Sequence, residues 1–173
     1  MRNALAGLTL LVCVPAHAQM MRARVFPPGF QNQQALDTLG RAVQVGVPAG
    51  RVFTAAIAAF GDLKIPVTSS DSLHGMVANL GIRQSRTLAG SQMSRWLSCG
   101  EGMTGPNADS FRIYAALAVL LDKGAADSTK VQIGFLAGSE DMQGNMKAPV
   151  PCGSTGAIEE KLMGLIMARL SKP

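Results

Sequence analysis

Hydrophobic and polar residues alternate most clearly in two segments of the second half of the chain, 111–121 and 130–137. A period of two residues is typical of a strand that buries one face. The apolar parity contains Phe111, Ile113, Ala115, Leu117 and Val119 in the first segment, and Val131, Ile133 and Phe135 in the second. The segment between them, 122–128, is suited to a connection. We therefore predict an antiparallel hairpin.

Helical spacing appears in two other places. Pro48 can open a helix, and the apolar residues that follow it recur every three or four positions: Val52, Phe53, Ala56, Ile57, Phe60 and Leu63. A second series follows Ser154 and Thr155: Ile158, Leu162, Leu165, Ile166 and Leu170. Glu159 and Glu160 favour the positive N-terminus of this second helix. An N-terminal helix and a longer C-terminal helix are predicted.

Weaker alternation predicts further strands at 39–47, 64–70 and 73–83, and a short strand within 87–98. The glycine-rich segments 100–110 and 138–151 are predicted to be loops. In 73–83, His74 shares the apolar parity of Ile82. The order strand, helix, antiparallel strands, helix predicts an α+β fold, with one antiparallel sheet carrying both helices on one face.

The first 18 residues have the layout of a secretory signal peptide. Arg2 supplies the positive start, an apolar run covers 4–15, and Ala16-His17-Ala18 resembles a cleavage site. The run is shorter than the roughly 20 residues that span a bilayer. A lipoprotein would use Cys13, but that cysteine lies inside the run, so cleavage after Ala18 is favoured. We predict export to the periplasm or the cell exterior, or a location peripheral to the outer membrane.

The segment 19–34 contains Pro27-Pro28-Gly29 and a Gln/Asn cluster, which disfavour both helix and strand. It is predicted to be a flexible leader. The remaining residues, 35–173, suffice for one domain and are too few for two. We expect a single folded unit there.

Signal cleavage would remove Cys13 and leave Cys99 and Cys152 as the two remaining cysteines. An isolated pair in an oxidising compartment predicts a disulfide. A redox or metal pair would be expected at a shorter, CxxC-like spacing. The bond would join the glycine-rich loop to the C-terminal helix.

The chain carries a net charge of +5, and its Lys and Arg residues are scattered without forming a block. Nucleic-acid binding usually requires a basic patch or stripe. No nucleic-acid partner is therefore predicted.

His74, the single histidine that would remain after cleavage, is the main candidate for a catalytic side chain. A hydrolase would have to combine His74 with a nearby serine and Asp71, but no G-x-S-x-G elbow is present. Oxygens of Glu101, Asn107 and Asp109 lack the periodicity of a Ca²⁺ loop. No metal site, cofactor or catalytic residue is predicted, and the hydrolase remains an alternative.

Four short motifs carry a resemblance: L-x-G-x-x-x-S at 88–94, Cys99-Gly100, G-P-N-A-D at 105–109 and C-x-S-T-G-x-x-E at 152–159. Through these four motifs, the chain resembles uncharacterised exported bacterial domains. The order of elements is similar to the helix-grip arrangement in domains of the outer-membrane assembly lipoprotein BamC. That resemblance implies an association with the cell envelope, although the lipidation motif of BamC is missing.

The leading hypothesis is an exported, non-enzymatic domain that binds a protein or serves as a structural accessory in the bacterial envelope. The alternative is a binder of a small apolar ligand or lipid, because a helix on a curved sheet can enclose a cavity. That cavity would be lined by Phe53, Ile57, Phe111 and Leu165. The oligomeric state is not predicted.

Overall fold

The structure is a computed structural model that describes residues 23–124, 127–142 and 148–171. The predicted signal peptide, 1–18, and the start of the predicted leader, 19–22, lie outside the described residues. The fold is α+β, as predicted: a mostly antiparallel sheet carries helices on one face. Within the described residues, no helix is long and apolar enough to cross a membrane.

Seven strands form the main sheet: β1 (Ala42–Val45), β2 (Ser69–Asp71), β3 (Met76–Ser85), β4 (Leu97–Ser98), β5 (Arg112–Lys123), β6 (Thr129–Glu140) and β7 (Val150–Ser154). The helices are α1 (Ala49–Asp62), the single-turn α2 (Asn107–Ser110) and α3 (Ala157–Leu170). Short 3₁₀ turns lie at Leu36–Thr38 and Met93–Arg95. Three two-residue strand pairs lie outside the sheet: Arg24–Val25 with Gln34–Ala35, Thr87–Leu88 with Ser91–Gln92, and Glu101–Gly102 with Gly105–Pro106.

The predicted hairpin is the centre of the sheet. Strands β5 and β6 pair over twelve residues each, with Leu117 opposite Phe135 and Val119 opposite Ile133. The sheet order is β2-β3-β5-β6-β7-β4. The predicted pairing and the predicted buried parity of this hairpin are both confirmed.

The outer edge of β6 is shared by two strands from distant parts of the sequence. Strand β1 pairs with Thr129 to Gln132, whereas β7 pairs with Ala137 to Ser139. Neither strand pairs with the intervening stretch 133–136. The main chain at Gly40 passes this gap, against the carbonyl group of Ile133.

Helices α1 and α3 pack on each other and on the same face of the sheet. The core between them and the sheet includes Val52, Phe60, Trp96, Ile113, Leu117, Ile133, Phe135, Ile158, Leu162 and Ile166, all of which are buried. Both helices have 14 residues, so the predicted difference in their lengths is not observed. Pro48 is the N-cap of α1. The N-cap of α3 is Gly156, after the two residues predicted to open that helix.

The opposite face of the sheet is covered by residues 23–39, which we call the strap. Beneath it lie small or compact side chains, namely Ala78, Ala116, Ala118 and Leu136. Leu36 of the strap is fully buried, and Gln132 donates from Nε2 to the carbonyls of Asp37 and Leu39 at 2.7 and 2.8 Å. Where described, the predicted flexible leader is therefore packed on the sheet, because small residues let its main chain approach closely.

A bulge in β3 changes which side chains face the helices. The register with β5 shifts between Asn79 and Ile82, so Val77 and Ile82 belong to the helix-side core although their parities differ. Asn79 fixes the bulge: its Oδ1 accepts from the Gly81 N–H at 3.0 Å, and its Nδ2 donates to Pro66 O at 2.8 Å. Ile82 therefore does not share a face with Ala78, contrary to the alternation predicted for 73–83.

Candidate functional site

Cys99 and Cys152 form a disulfide with their Cα atoms 4.3 Å apart, and both are buried. Beside the bond, β7 and β4 pair through Gly153 with Ser98 and Ser154 with Leu97. The disulfide therefore links the glycine-rich loop to the strand that leads directly into α3. This is the connection that the sequence predicts.

Trp96, the only tryptophan of the chain, is fully buried next to this corner. Its Nε1 donates to Leu88 O at 2.8 Å. The cationic groups of Arg95 and Lys161 lie 5.3 and 5.5 Å from its ring centroid. Thr155 anchors α3 here, because its hydroxyl donates to Arg95 O at 2.7 Å and its N–H to Trp96 O at 3.0 Å.

The strap and the sheet enclose a pocket of about 300 Å³ that we call the strap pocket. Its lining is Val25, Phe26, Pro27, Pro28, Leu80, Gly81, Ile82, Arg83, Tyr114, Ala115 and Ala116. Phe26 leaves 62% of its surface exposed there. The guanidinium of Arg83 lies 5.6 Å from the ring centroid of Tyr114, whose hydroxyl donates to Glu140 Oε2 at 2.8 Å.

An open strand edge adjoins the strap pocket. On the side away from β5, β2 pairs with β3 only from Met76 to Ala78. Among the described residues, no strand pairs with the remainder of that edge, which ends at Ser85. Arg83 and Gln84 on this edge are exposed.

A second pocket, of about 360 Å³, lies on the helix side and is called the α3 pocket here. Its lining is Gly40, Arg41, Val43, Ile133, Gly156, Glu159, Glu160 and Met163. These residues come from the main chain before β1, from β1 and β6, and from the first half of α3. The pocket therefore combines apolar walls with two carboxylates and one guanidinium.

The residues predicted to line a ligand cavity differ in how far they are buried. Phe111 is buried, Phe53 and Leu165 are half-buried against the same core, and Ile57 is 40% exposed. None of the four lines the strap pocket or the α3 pocket. The strap pocket includes Phe26 of the predicted leader, a residue for which alternation gives no signal.

His74 lies in the exposed turn between β2 and β3 rather than on the buried face of a strand. Its Nδ1 contacts Asp71 Oδ2, and Asp71 Oδ1 accepts from the N–H groups of Leu73 and His74 at 3.0 Å each. The hydrogen bond from His74 lowers the pKa of Asp71. In the described part of the chain, no serine hydroxyl is bonded to His74, so the contact resembles a turn-stabilising pair.

Two of the three loop residues considered for Ca²⁺ make side-chain hydrogen bonds within the protein. Asn107 donates from Nδ2 to Cys99 O at 3.2 Å, and Asp109 Oδ1 accepts from Ser94 N–H at 2.8 Å. Across residues 23–124, 127–142 and 148–171, no three His, Cys, Asp or Glu residues are grouped so that they could hold a metal ion. These loop residues thus stabilise the region around the disulfide.

No protein-family model matches the chain, and no curated protein matches it either. The resemblance to BamC domains accordingly stays a prediction. Function has to be inferred from the two pockets and the open edge.

Proposed function

We propose that this chain is an exported, non-enzymatic domain of the bacterial envelope that binds an extended segment of a partner protein. The binding surface would be the strap pocket together with the open edge of β3. The observation that carries the proposal is their juxtaposition: Leu80 and Arg83 belong to both the pocket lining and the strand whose edge is open.

Main-chain groups on an unpaired strand edge can add an extended peptide as a further strand. The edge from Arg83 to Ser85 offers such groups beyond the short pairing with β2. Natural edges are often protected by bulges and charges, and both occur here, at Gly81 and Arg83. The bulge favours binding of one short segment over continuous edge-to-edge aggregation.

The pocket supplies a basis for specificity. Phe26, Leu80 and the strap prolines give it an apolar surface, which favours an aliphatic or aromatic side chain of the partner. Arg83 is exposed beside it, and the hydrogen bond to Glu140 fixes Tyr114. We therefore expect a segment with an apolar residue next to an acidic one.

The envelope location rests on separate observations. The Cys99–Cys152 disulfide is compatible with an oxidising compartment, and the sequence predicts a signal peptide. The basic net charge suits an acidic partner. The binder of a purely apolar ligand has less support, since none of its four predicted lining residues lines the strap pocket or the α3 pocket.

The test is selection of displayed peptides against the full chain, followed by affinity measurement with variants. Phe26→Ser and Arg83→Gln are expected to weaken selected peptides by about tenfold or more, a typical effect of losing an interface anchor. Leu73→Ser is the matched control, because Leu73 is 87% exposed but lies in the β2–β3 turn. Equal weakening by Leu73→Ser, or none by Phe26→Ser, would place binding elsewhere.

Amide hydrogen exchange would test the strand-pairing step. Bound peptide should slow exchange at open-edge amides between Arg83 and Ser85, and leave the turn amides of Leu73 and His74 unchanged. Protection restricted to the turn would contradict edge pairing. A photoreactive residue at position 26 would then identify the natural partner in envelope extract.

A further inference from the structure

The α3 pocket has apolar walls from three different elements. Val43 comes from β1, Ile133 from the part of β6 that neither β1 nor β7 pairs, and Met163 from α3. Val43 is 37% exposed. The part of the β6 edge that neither β1 nor β7 pairs therefore leaves an apolar surface open beneath the first half of α3.

Glu159 is a residue of this pocket whose carboxylate is only partly hydrogen-bonded within the described fold. Its Oε1 accepts from the Ser154 hydroxyl at 2.6 Å, and the same hydroxyl accepts from the Gly156 N–H at 3.0 Å. This relay caps α3 and fixes the carboxylate. Its Oε2, however, is buried, and no hydrogen-bond partner for it lies among the described residues.

A buried oxygen without a donor is costly, and such groups call for a specific explanation in a folded protein. Capping explains only one of the two oxygens of Glu159. The adjoining Glu160 adds a second carboxylate to the lining, against one guanidinium from Arg41. The charged groups of the pocket thus sum to a negative value, which favours a cation.

We propose that the α3 pocket binds a small ligand with a primary ammonium group on a compact apolar body. The ammonium would bind at the Glu159 carboxylate, which lines the pocket, and the apolar body would lie against Val43, Ile133 and Met163. A volume of about 360 Å³ is at the lower end of the range typical of small-molecule sites. This ligand is separate from the proposed peptide, because the strap pocket lies on the opposite face of the sheet.

The test compares three probes with one carbon skeleton: 3-methylbutylammonium, 3-methylbutanol and 3-methylbutanoate. Each would be titrated into the isotope-labelled full chain at up to about 50 mM, since ligands of this size bind weakly. Saturable shifts of the Val43, Glu159 and Met163 amides are expected with the ammonium probe. The alcohol should bind about tenfold more weakly, given the greater strength of charge-assisted hydrogen bonds, and the carboxylate should not bind.

Glu159→Gln should abolish the preference for the ammonium probe over the alcohol, while its amide oxygen can still accept from Ser154. Glu101→Gln is the control, because Glu101 is an exposed acid that does not line the pocket. Val43→Phe should weaken all binding by filling the pocket without touching the cap. Equal affinity for alcohol and ammonium, unchanged ammonium binding in Glu159→Gln, or no saturable shift would overturn the proposal.

Discussion

The main chain at Pro28 crosses β6 directly over Gly138, so closely that a β-carbon on that glycine would overlap the Pro28 carbonyl oxygen. The same relationship recurs four residues earlier, where a β-carbon on Gly134 would lie 2.5 Å from Leu36 O. Positions four apart lie on one face of a strand. The strap therefore packs on the part of β6 where Gly134 and Gly138 leave room for its main chain.

We expect Gly138→Ala to displace the strap from the sheet. Overpacking of a tight contact typically costs about 1–3 kcal/mol, and denaturant unfolding would measure the loss. Limited proteolysis should cut residues 23–39 faster in this variant. Gly153→Ala in β7 is the matched control, because its β-carbon would meet no atom of residues 23–124, 127–142 or 148–171 within 4 Å. Equal protease resistance of both variants would show that the strap does not depend on Gly138.

Replacing Cys99 and Cys152 together by serine should lower the free energy of unfolding by about 2–5 kcal/mol. The bond spans a sequence separation of 53 residues, and its loss frees the unfolded chain. Emission of the buried Trp96 reports the transition without any added label. Mass spectrometry of the native protein should show a gain of about 2 Da on reduction. Two free thiols in the unreduced protein would contradict the assignment.

Thr155→Val should destabilise the start of α3 by about 1 kcal/mol, the usual effect of losing a capping hydroxyl. The change removes both the donor to Arg95 O and the acceptor for Ala157 N–H. Ser171→Ala, which removes the bond to Ala168 O at the other end of α3, is the comparison. Thermal unfolding of both variants would show whether the N-terminal anchor matters more.

The His74 contact predicts a pH effect confined to acid. The hydrogen bond from His74 lowers the folded-state pKa of Asp71, so its contribution is present above the unfolded-state pKa and is lost as pH falls through the folded-state value. His74→Ala should move the pKa of Asp71 upward toward its ordinary value. Carboxyl NMR titration measures this directly, and an unchanged Asp71 titration would contradict the pairing.

The sequence predicts the central hairpin well because alternation in β5 and β6 reflects burial of one face directly. The disulfide can also be predicted from the sequence, because cleavage of the predicted signal peptide would leave Cys99 and Cys152 as a single pair. These features depend on residue type and spacing, which a single sequence records.

Other features depend on contacts that spacing does not encode. The strap can approach the sheet because Gly134 and Gly138 have no side chains. The sequence around Pro27-Pro28-Gly29 does not record this contact and by itself favours a flexible leader. The bulge after Asn79 moves Ile82 to the other face, which strict alternation cannot anticipate. The buried oxygen of Glu159 becomes visible only when the relay through Ser154 is placed in three dimensions.

The shared outer edge of β6 has a consequence for how the molecule assembles. Strand β1 pairs with one part of that edge and β7 with another, and β7 lies more than a hundred positions after β1 in the sequence. The pairing of β7 with β6 is local in sequence, whereas that of Val45 in β1 with Thr129 in β6 is of long range. Long-range pairings are slow to form, because a large loop must close first. A nascent chain that had not yet reached Val150 would therefore have β1 on this edge without β7, and the sheet would reach its full width only after β7 had been synthesised.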